Sequence, residues 1–469
     1  MAGNADKYTS MMFDARRETI AIGGGTAVTD HGRAPMQLLQ WHVTRFTLWQ
    51  TAAAAGAGEG AQRSKIIPLR RNLTNSFAAT WIKPAENVDY ANGAADRNIG
   101  AIGYCEDGTA SVLRISAQIE PSAYVLNPVT YRVRLYSSEL TQELVSNEVS
   151  VGRSGVYAFE IPGFEIPTGF SKAQMRFAWE RRLTYDSTWQ RDATAYVPLY
   201  NFPNRPTPPW SVEQGDGNNP WTDALDLLWD RGWRDFRSIQ HDGRRDHSEV
   251  ASAVTKIVNS RLGLEYGNGN TRFGETDVEL TKFIQERKEI KTTKVNCVDC
   301  ANLVTAFSNL LGCSLYNVTM RGDNEGFRTN RVRLIGTDYW DYPSSQGEGN
   351  RSRGFRMHEI SMTGPFHRMS PIYDACLEVD RNAIINTSVV SVPVIIDGGC
   401  IYVDTIFIES SNDISAVLPQ NLTFSSRSEY RLAVGKNEPQ HYLEWLVLNS
   451  PEHLNNASQI QTKRELGLK

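Results

Sequence analysis

No uninterrupted apolar run in these 469 residues approaches the roughly 18 that a membrane helix needs. The opening residues carry Asp6, Lys7, Asp14, Arg16, Arg17 and Glu18 where a secretory leader would place its apolar stretch. The expectation is a protein made in the cytoplasm without a signal peptide and without a membrane span, with a signal-independent route of export left open. A surplus of one charge is missing as well. With 49 Lys plus Arg against 53 Asp plus Glu the formal net charge is −4, so no nucleic acid is expected as a ligand. Cysteine is scarce. The six present are Cys105, Cys297, Cys300, Cys313, Cys376 and Cys400, a scatter that suits a reducing compartment better than a disulfide framework. Only Cys297 and Cys300 form a CxxC. Without a second such pair a closed zinc site lacks its remaining ligands, and no metal and no cofactor is expected. Gly23-Gly24-Gly25 precedes no helical pattern, which makes it a turn rather than a phosphate loop.

What the chain does have is an ordinary globular balance, 40% hydrophobic and 22% charged, over a length that suits two or three domains. Trp41 to Trp49 has the β-branched and aromatic content of a strand, and Thr51 to Gly60 is an alanine and glycine loop. From Ala110 to Tyr200 polar and apolar residues alternate, as in Val129-Thr130-Tyr131-Arg132-Val133-Arg134-Leu135-Tyr136, between Pro, Gly, Ser and Asn clusters. Several short strands at this spacing predict a β-sandwich or barrel, and the all-β sandwich is the architecture expected here. Pro203, Pro206, Pro208 and Pro209 then mark a semi-rigid connector. The predicted architecture is a multidomain α+β chain. Residues 1–60 are an N-terminal segment, 61–200 a β-sandwich, 201–220 a Pro-rich linker, and 221–469 an α+β domain with additional C-terminal strands. The sandwich is a candidate surface for a protein partner. Within the last part, Thr276-Asp277-Val278-Glu279 is expected to cap a helix, and Val389–Ile396 and Cys400–Ile408 to form a hairpin. Leu422-Thr423-Phe424 and Tyr430 to Val434 are expected as strands, Tyr442 to Leu448 as a helix, and the last dozen residues as a frayed end.

The most informative stretch is Asn296 to Gly312. Apolar residues at Cys300, Val304, Phe307 and Leu311, with a second row at Leu303, Phe307 and Leu310, follow the helical period and predict a helix with one broad buried face. Asn296 is a good N-cap, Asp299 completes a capping box, and Gly312 lies where a glycine closes the helix. Cys297 therefore falls in the first turn. Unpaired backbone N–H groups and the positive end of the dipole favour its thiolate there, which makes it a candidate nucleophile. An inert core cysteine, or one half of a metal or redox pair with Cys300, are the alternatives; Cys300 itself is simplest as core packing.

Cys297-x-Asp299-x-Ala301, followed by an apolar helix ending in Leu311-Gly312, resembles the nucleophile helix of the transglutaminase-like (papain-like Cys/His/Asp) cysteine hydrolase superfamily. The resemblance implies a histidine on a later strand and an aspartate on the next. Phe355 to Ile360 and Pro371 to Leu377, parted by Thr363-Gly364-Pro365, supply His358 and Asp374 in that order. The likeness runs from near Trp221 to Leu377. It implies thiol-dependent acyl transfer on a protein or peptide substrate by Cys297, His358 and Asp374, as a peptidase, a deamidase or a crosslinking enzyme. His367 is a rival for His358 and Asp404 for Asp374, and Gln285 is a candidate second oxyanion donor. The other function class is a non-catalytic structural or binding component of a larger assembly that retains the fold.

Overall fold

The computed structural model describes residues 41–51, 66–73, 80–82, 101–105, 112–121, 128–164 except 139 and 141, 169–183, 187–211, 218–239, 247–289 except 268, 275 and 276, 292–321, 327–328, 332–338, 354–379 except 356 and 365–369, 387–396, 399–408, 422–426, 429–430, 434, 442–446 and 467–468. Gly23 to Gly25, most of the 51–60 loop and His367 lie outside these residues.

Alternating β-branched and aromatic residues build the first half. Its strands are β1 (Trp41–Thr51), β2 (Ile66–Pro68), β3 (Thr80–Ile82), β4 (Ile102–Cys105), β5 (Val112–Pro121) and β6 (Val129–Tyr136). There follow β7 (Leu144–Val145), β8 (Val149–Val151), β9 (Gly155–Pro162), β10 (Ser171–Leu183) and β11 (Gln190–Phe202). They form two sheets, β3-β1-β5-β9 and β2-β4-β11-β10-β6-β7, with β8 beside β6. Burial alternates strictly along β6, so Val129, Tyr131, Val133 and Leu135 point inward. They share one apolar core with Leu113, Ile115 and Phe159 of the first sheet and Phe177 and Trp179 of their own.

A second apolar core begins on the β2–β4–β11 end of that sandwich and continues through the helices. It joins Ile67, Leu69 and Phe202 to Trp210, Trp221, the helical residues and, near the other end of the chain, Tyr430. The helices are α1 (Thr222–Ile239), α2 (His247–Ser260), α3 (Leu280–Glu289) and α4 (Cys297–Leu310), with β12 (Leu264–Tyr266), β13 (Asp277–Val278) and β14 (Thr293–Val295) between them. After α4 come β15 (Leu315–Arg321), β16 (Phe327–Arg328), β17 (Val332–Leu334), β18 (Gly354–Phe355), β19 (Met357–Thr363), β20 (Ile372–Tyr373) and β21 (Leu377–Val379). The last strands are β22 (Thr387–Ile396), β23 (Gly399–Ile408), β24 (Thr423–Phe424), β25 (Tyr442–Leu446) and β26 (Gly467–Leu468). A seven-stranded sheet in the order β22-β23-β25-β15-β19-β20-β24 backs α4. With helices and sheets in distinct layers the chain is α+β.

Residues 207–210 are anchored to α4. Trp210 donates its indole N–H to Ala306 O at 2.7 Å, Thr207 N donates to Asn309 O at 2.9 Å, and the Asn309 amide donates to Pro208 O at 2.6 Å. Gly312, at φ +90°, lies directly under this segment: a Cβ there would stand 2.6 Å from Arg205 O. Glycine is required on both counts.

Five expectations are corrected. Every residue of α4 is buried, not one face only. Most of its polar side chains are covered because they find partners: Asn302 donates to Gly274 O at 2.8 Å, the Thr305 hydroxyl to Asn317 Oδ1, and Ser361 closes the contact by donating to Ala301 O at 2.9 Å, whereas the buried Ser308 hydroxyl has none. Asp277–Val278 is a strand and the helix starts at Leu280, since β13 pairs with β26. That same pairing orders Gly467–Leu468 near the end of the chain, where fraying is expected. Tyr442–Leu446 is a strand because β15 and β23 flank it and supply its ladder. Glu429 and Tyr430 are helical, not strand: Ser426 Oγ accepts from Glu429 N at 3.0 Å and Ser426 O from Tyr430 N at 3.1 Å, an N-cap and a first helical turn.

Candidate active site

Cys297 is the first residue of α4. Asn296 caps the helix by accepting from Asp299 N at 3.1 Å, and Asp299 returns the bond to Asn296 N, also at 3.1 Å. The buried Asp299 carboxylate also accepts from Arg272 N at 3.0 Å and Phe273 N at 2.8 Å. Burial pushes this carboxyl up, and those backbone donors draw it partly back. The carboxylate thereby ties the 272–273 loop to the first turn. The N–H groups of Cys297 and Val298, at the first two helical positions, have no acceptor within the helix. Cys297 is 7% exposed.

His358 stands on β19 and Asp374 directly after β20, two strands paired antiparallel through Ser361↔Tyr373 and Met362↔Ile372. The pairing sets His358 Nε2 2.8 Å from Asp374 Oδ2. Both groups are buried, His358 fully and Asp374 at 2% exposure. His358 Nδ1 is left without a hydrogen-bond partner. Burial disfavours the imidazolium, but the adjacent Asp374 charge and hydrogen bond, joined by an interaction with the Cys297 side chain, outweigh it and push the ring up to about 10. Phe355, 5.0 Å from the His358 ring centre, forms one wall, with Tyr266 edge-on behind it at 6.4 Å.

Asp374 is held from every side. Its Oδ1 accepts from Cys376 N at 2.8 Å and Leu377 N at 3.2 Å, an Asx turn, and its own N–H donates to Leu422 O at 2.8 Å. Its Oδ2 also accepts from the Tyr430 hydroxyl at 2.7 Å. Sequence reasoning does not find Tyr430. The signal for its local structure is Ser426-x-x-Glu429, a capping-box pattern that opens the turn carrying it. Burial, with the Asp374 charge second, raises the Tyr430 phenol well above its ordinary value and keeps it a donor.

Cys300 and Cys376 lie beneath the cluster, fully buried. The Cys376 thiol favours the Cys300 thiolate by hydrogen bonding, yet burial and the Asp299 and Asp374 charges leave Cys300 raised; burial raises Cys376 likewise. Among the described residues no group of three or more His, Cys, Asp or Glu is placed to hold a metal ion. Asp404, on β23, is separated from β19 by β25 and β15, so Asp374 and not Asp404 belongs to the strand next to His358. Gln285 is on the exposed side of α3, opposite the buried Phe283 and Ile284. No helix among the described residues is long and apolar enough to cross a membrane.

No protein-family model matches this chain, and no curated protein sequence matches it. Among solved structures it is similar to the red sea bream transglutaminase, with 10% identity and a TM-score of 0.32 over 56% of this chain and 48% of that one. The match thus spans about half the length of that enzyme. A likeness of this size leaves the chemistry to be read from the side chains.

Proposed function

We propose that the chain catalyses thiol-dependent acyl transfer on carboxamide or peptide bonds, with Cys297 as nucleophile, His358 as proton carrier and Asp374 as its orienting carboxylate. The observation that carries this reading is the fully buried His358, bonded through Nε2 to Asp374 at 2.8 Å while Nδ1 has no other partner and Cys297 acts on the same ring. In the proposed cycle the thiol proton resides on Nδ1, and Sγ attacks the carbonyl carbon. The N–H of Cys297 at the helix terminus receives the developing oxyanion. Nδ1–H protonates the departing amine as the C–N bond breaks, leaving a thioester. Water or a second amine then gives its proton to Nδ1 and attacks the thioester, releasing the acyl product and restoring the thiol. Water makes the protein a peptidase or deamidase; an amine makes it a crosslinking enzyme. In this reading residues 221–469 are a transglutaminase-like catalytic unit, 201–220 its linker, and 61–200 a sandwich available to a protein partner.

The 7% exposure of Cys297 favours a second reading, in which the fold serves as a binding component without turnover. One experiment separates them: a peptide library rich in Gln and Asn is incubated with and without a primary amine, and ammonia, cleavage and conjugates are quantified. Cys297→Ala and His358→Ala are each expected to abolish turnover, the double variant being no worse than either, because groups acting as a unit lose their effects non-additively. No thiol-dependent product from the wild type establishes the binding reading instead, and full activity in His358→Ala removes His358 as the proton carrier.

A further inference from the structure

We infer that Tyr430 is a positioning residue of this site, and that it completes the active centre together with residues 422–424 by clamping Asp374 against His358. The inference rests on the proposed function. Both oxygens of Asp374 are fully engaged. Backbone N–H groups of Cys376 and Leu377 hold Oδ1, while Oδ2 is shared between His358 Nε2 at 2.8 Å and the Tyr430 hydroxyl at 2.7 Å. Two fixed donors on one oxygen and a third side-chain donor beside the imidazole leave the carboxylate a single orientation. The clamp is built from outside the strand pair. Leu422 O takes the Asp374 N–H at 2.8 Å, β24 pairs with β20, and Tyr430 packs edge-on against Phe424 with ring centres 4.9 Å apart. Tyr430 has no exposed surface, so its hydroxyl has no solvent to turn to.

The phenol also divides the charge of the carboxylate with the imidazole. A donor on Oδ2 disperses negative charge that otherwise acts on His358 as the one partner of that oxygen. Removing it strengthens the field at the ring and loosens the carboxylate. The titratable groups that bear on His358 are Asp374 and Cys297; those that bear on Tyr430 include Asp374, Cys376 and Cys297.

The test is Tyr430→Phe, which deletes one oxygen and keeps the ring on Phe424, read by two assays on the full-length protein. In turnover, kcat is expected to fall about 10-fold with KM within about twofold, as for a lost bond to a charged group. In substrate-free alkylation of Cys297 by iodoacetamide, the alkaline limb of the rate against pH is expected to move upward by about half a unit. Should Tyr430→Phe not fold, incorporation of a fluorinated tyrosine at 430, a more acidic phenol and stronger donor, is expected to move that limb downward. A purely structural role lowers the melting temperature and leaves the limb in place in either protein; that result overturns the inference. A wild-type Cys297 that alkylates no faster than Cys313 overturns the proposed function itself, a distinct outcome visible before any variant is made.

Discussion

Replacing Asp374 with Asn exchanges one oxygen for one NH2 and leaves the size of the side chain unchanged. Four donors converge on the native carboxylate, two backbone N–H groups on Oδ1 and His358 Nε2 with the Tyr430 hydroxyl on Oδ2. An amide satisfies that arrangement in one orientation only. Its oxygen must replace Oδ1, because Cys376 N and Leu377 N cannot accept, and its NH2 must replace Oδ2. The NH2 then donates to Nε2 and to the phenolic oxygen, so the Tyr430 O–H alone gives up its acceptor at residue 374 and the fold is expected to hold. Nε2, however, becomes an acceptor. The neutral ring now carries its proton on Nδ1, the nitrogen required to take the thiol proton, and the wrong tautomer blocks the first step. kcat/KM is expected to drop on the order of 1,000- to 10,000-fold, and Cys297 alkylation at neutral pH by about 10-fold or more. The electrostatics point the same way. In the native protein the ring is lifted from 6.5 to about 10, which corresponds to about 5 kcal/mol of preference for the imidazolium. Because the folded value lies above the unfolded one, the stability it contributes is fully present below about pH 6.5 and is lost as pH rises toward about 10. The difference in unfolding free energy between native protein and Asp374→Asn should therefore shrink across that window. An Asn variant with activity within 10-fold of native and an unchanged alkylation profile refutes the reasoning.

Two further outcomes are expected. Iodoacetamide near neutral pH should modify Cys297 well before Cys300 and Cys376, since both of those thiols are fully buried and raised; peptide mapping that finds equal or slower labelling at Cys297 removes it as the nucleophile. Asp299→Ala deletes the acceptor of the Arg272, Phe273 and Asn296 N–H groups. Chemical denaturation should show a loss of about 3 kcal/mol or more, and a loss below about 1 kcal/mol means the 272–273 loop and the helix start are held by something else.

The parts of this fold that are legible in the sequence are those settled within a few residues. Asn296, Asp299 and Gly312 delimit α4 because caps and the left-handed glycine are local chemistry, and the Thr363-Gly364-Pro365 break separates the strands of His358 and Asp374 for the same reason. What lies beyond reach is set by partners far along the chain. The polar residues of α4 suggest a wetted side until Asn317, Ser361 and the backbone at Pro208 come to meet them. Tyr-Leu-Glu-Trp-Leu at 442–446 is equally compatible with either period, and only β15 and β23 decide for a strand. Tyr430 is the sharpest instance. Its own turn is local, announced by Ser426 and Glu429, but its hydroxyl matters through a carboxylate 56 positions earlier. A pattern that ends at Leu377 can point to His358 and Asp374 and still omit the group that fixes the second against the first. β24 and the turn that carries Tyr430 therefore extend the candidate site as well as the sheet, and variation at Phe424 or Tyr430 should act on chemistry at Cys297 through Asp374.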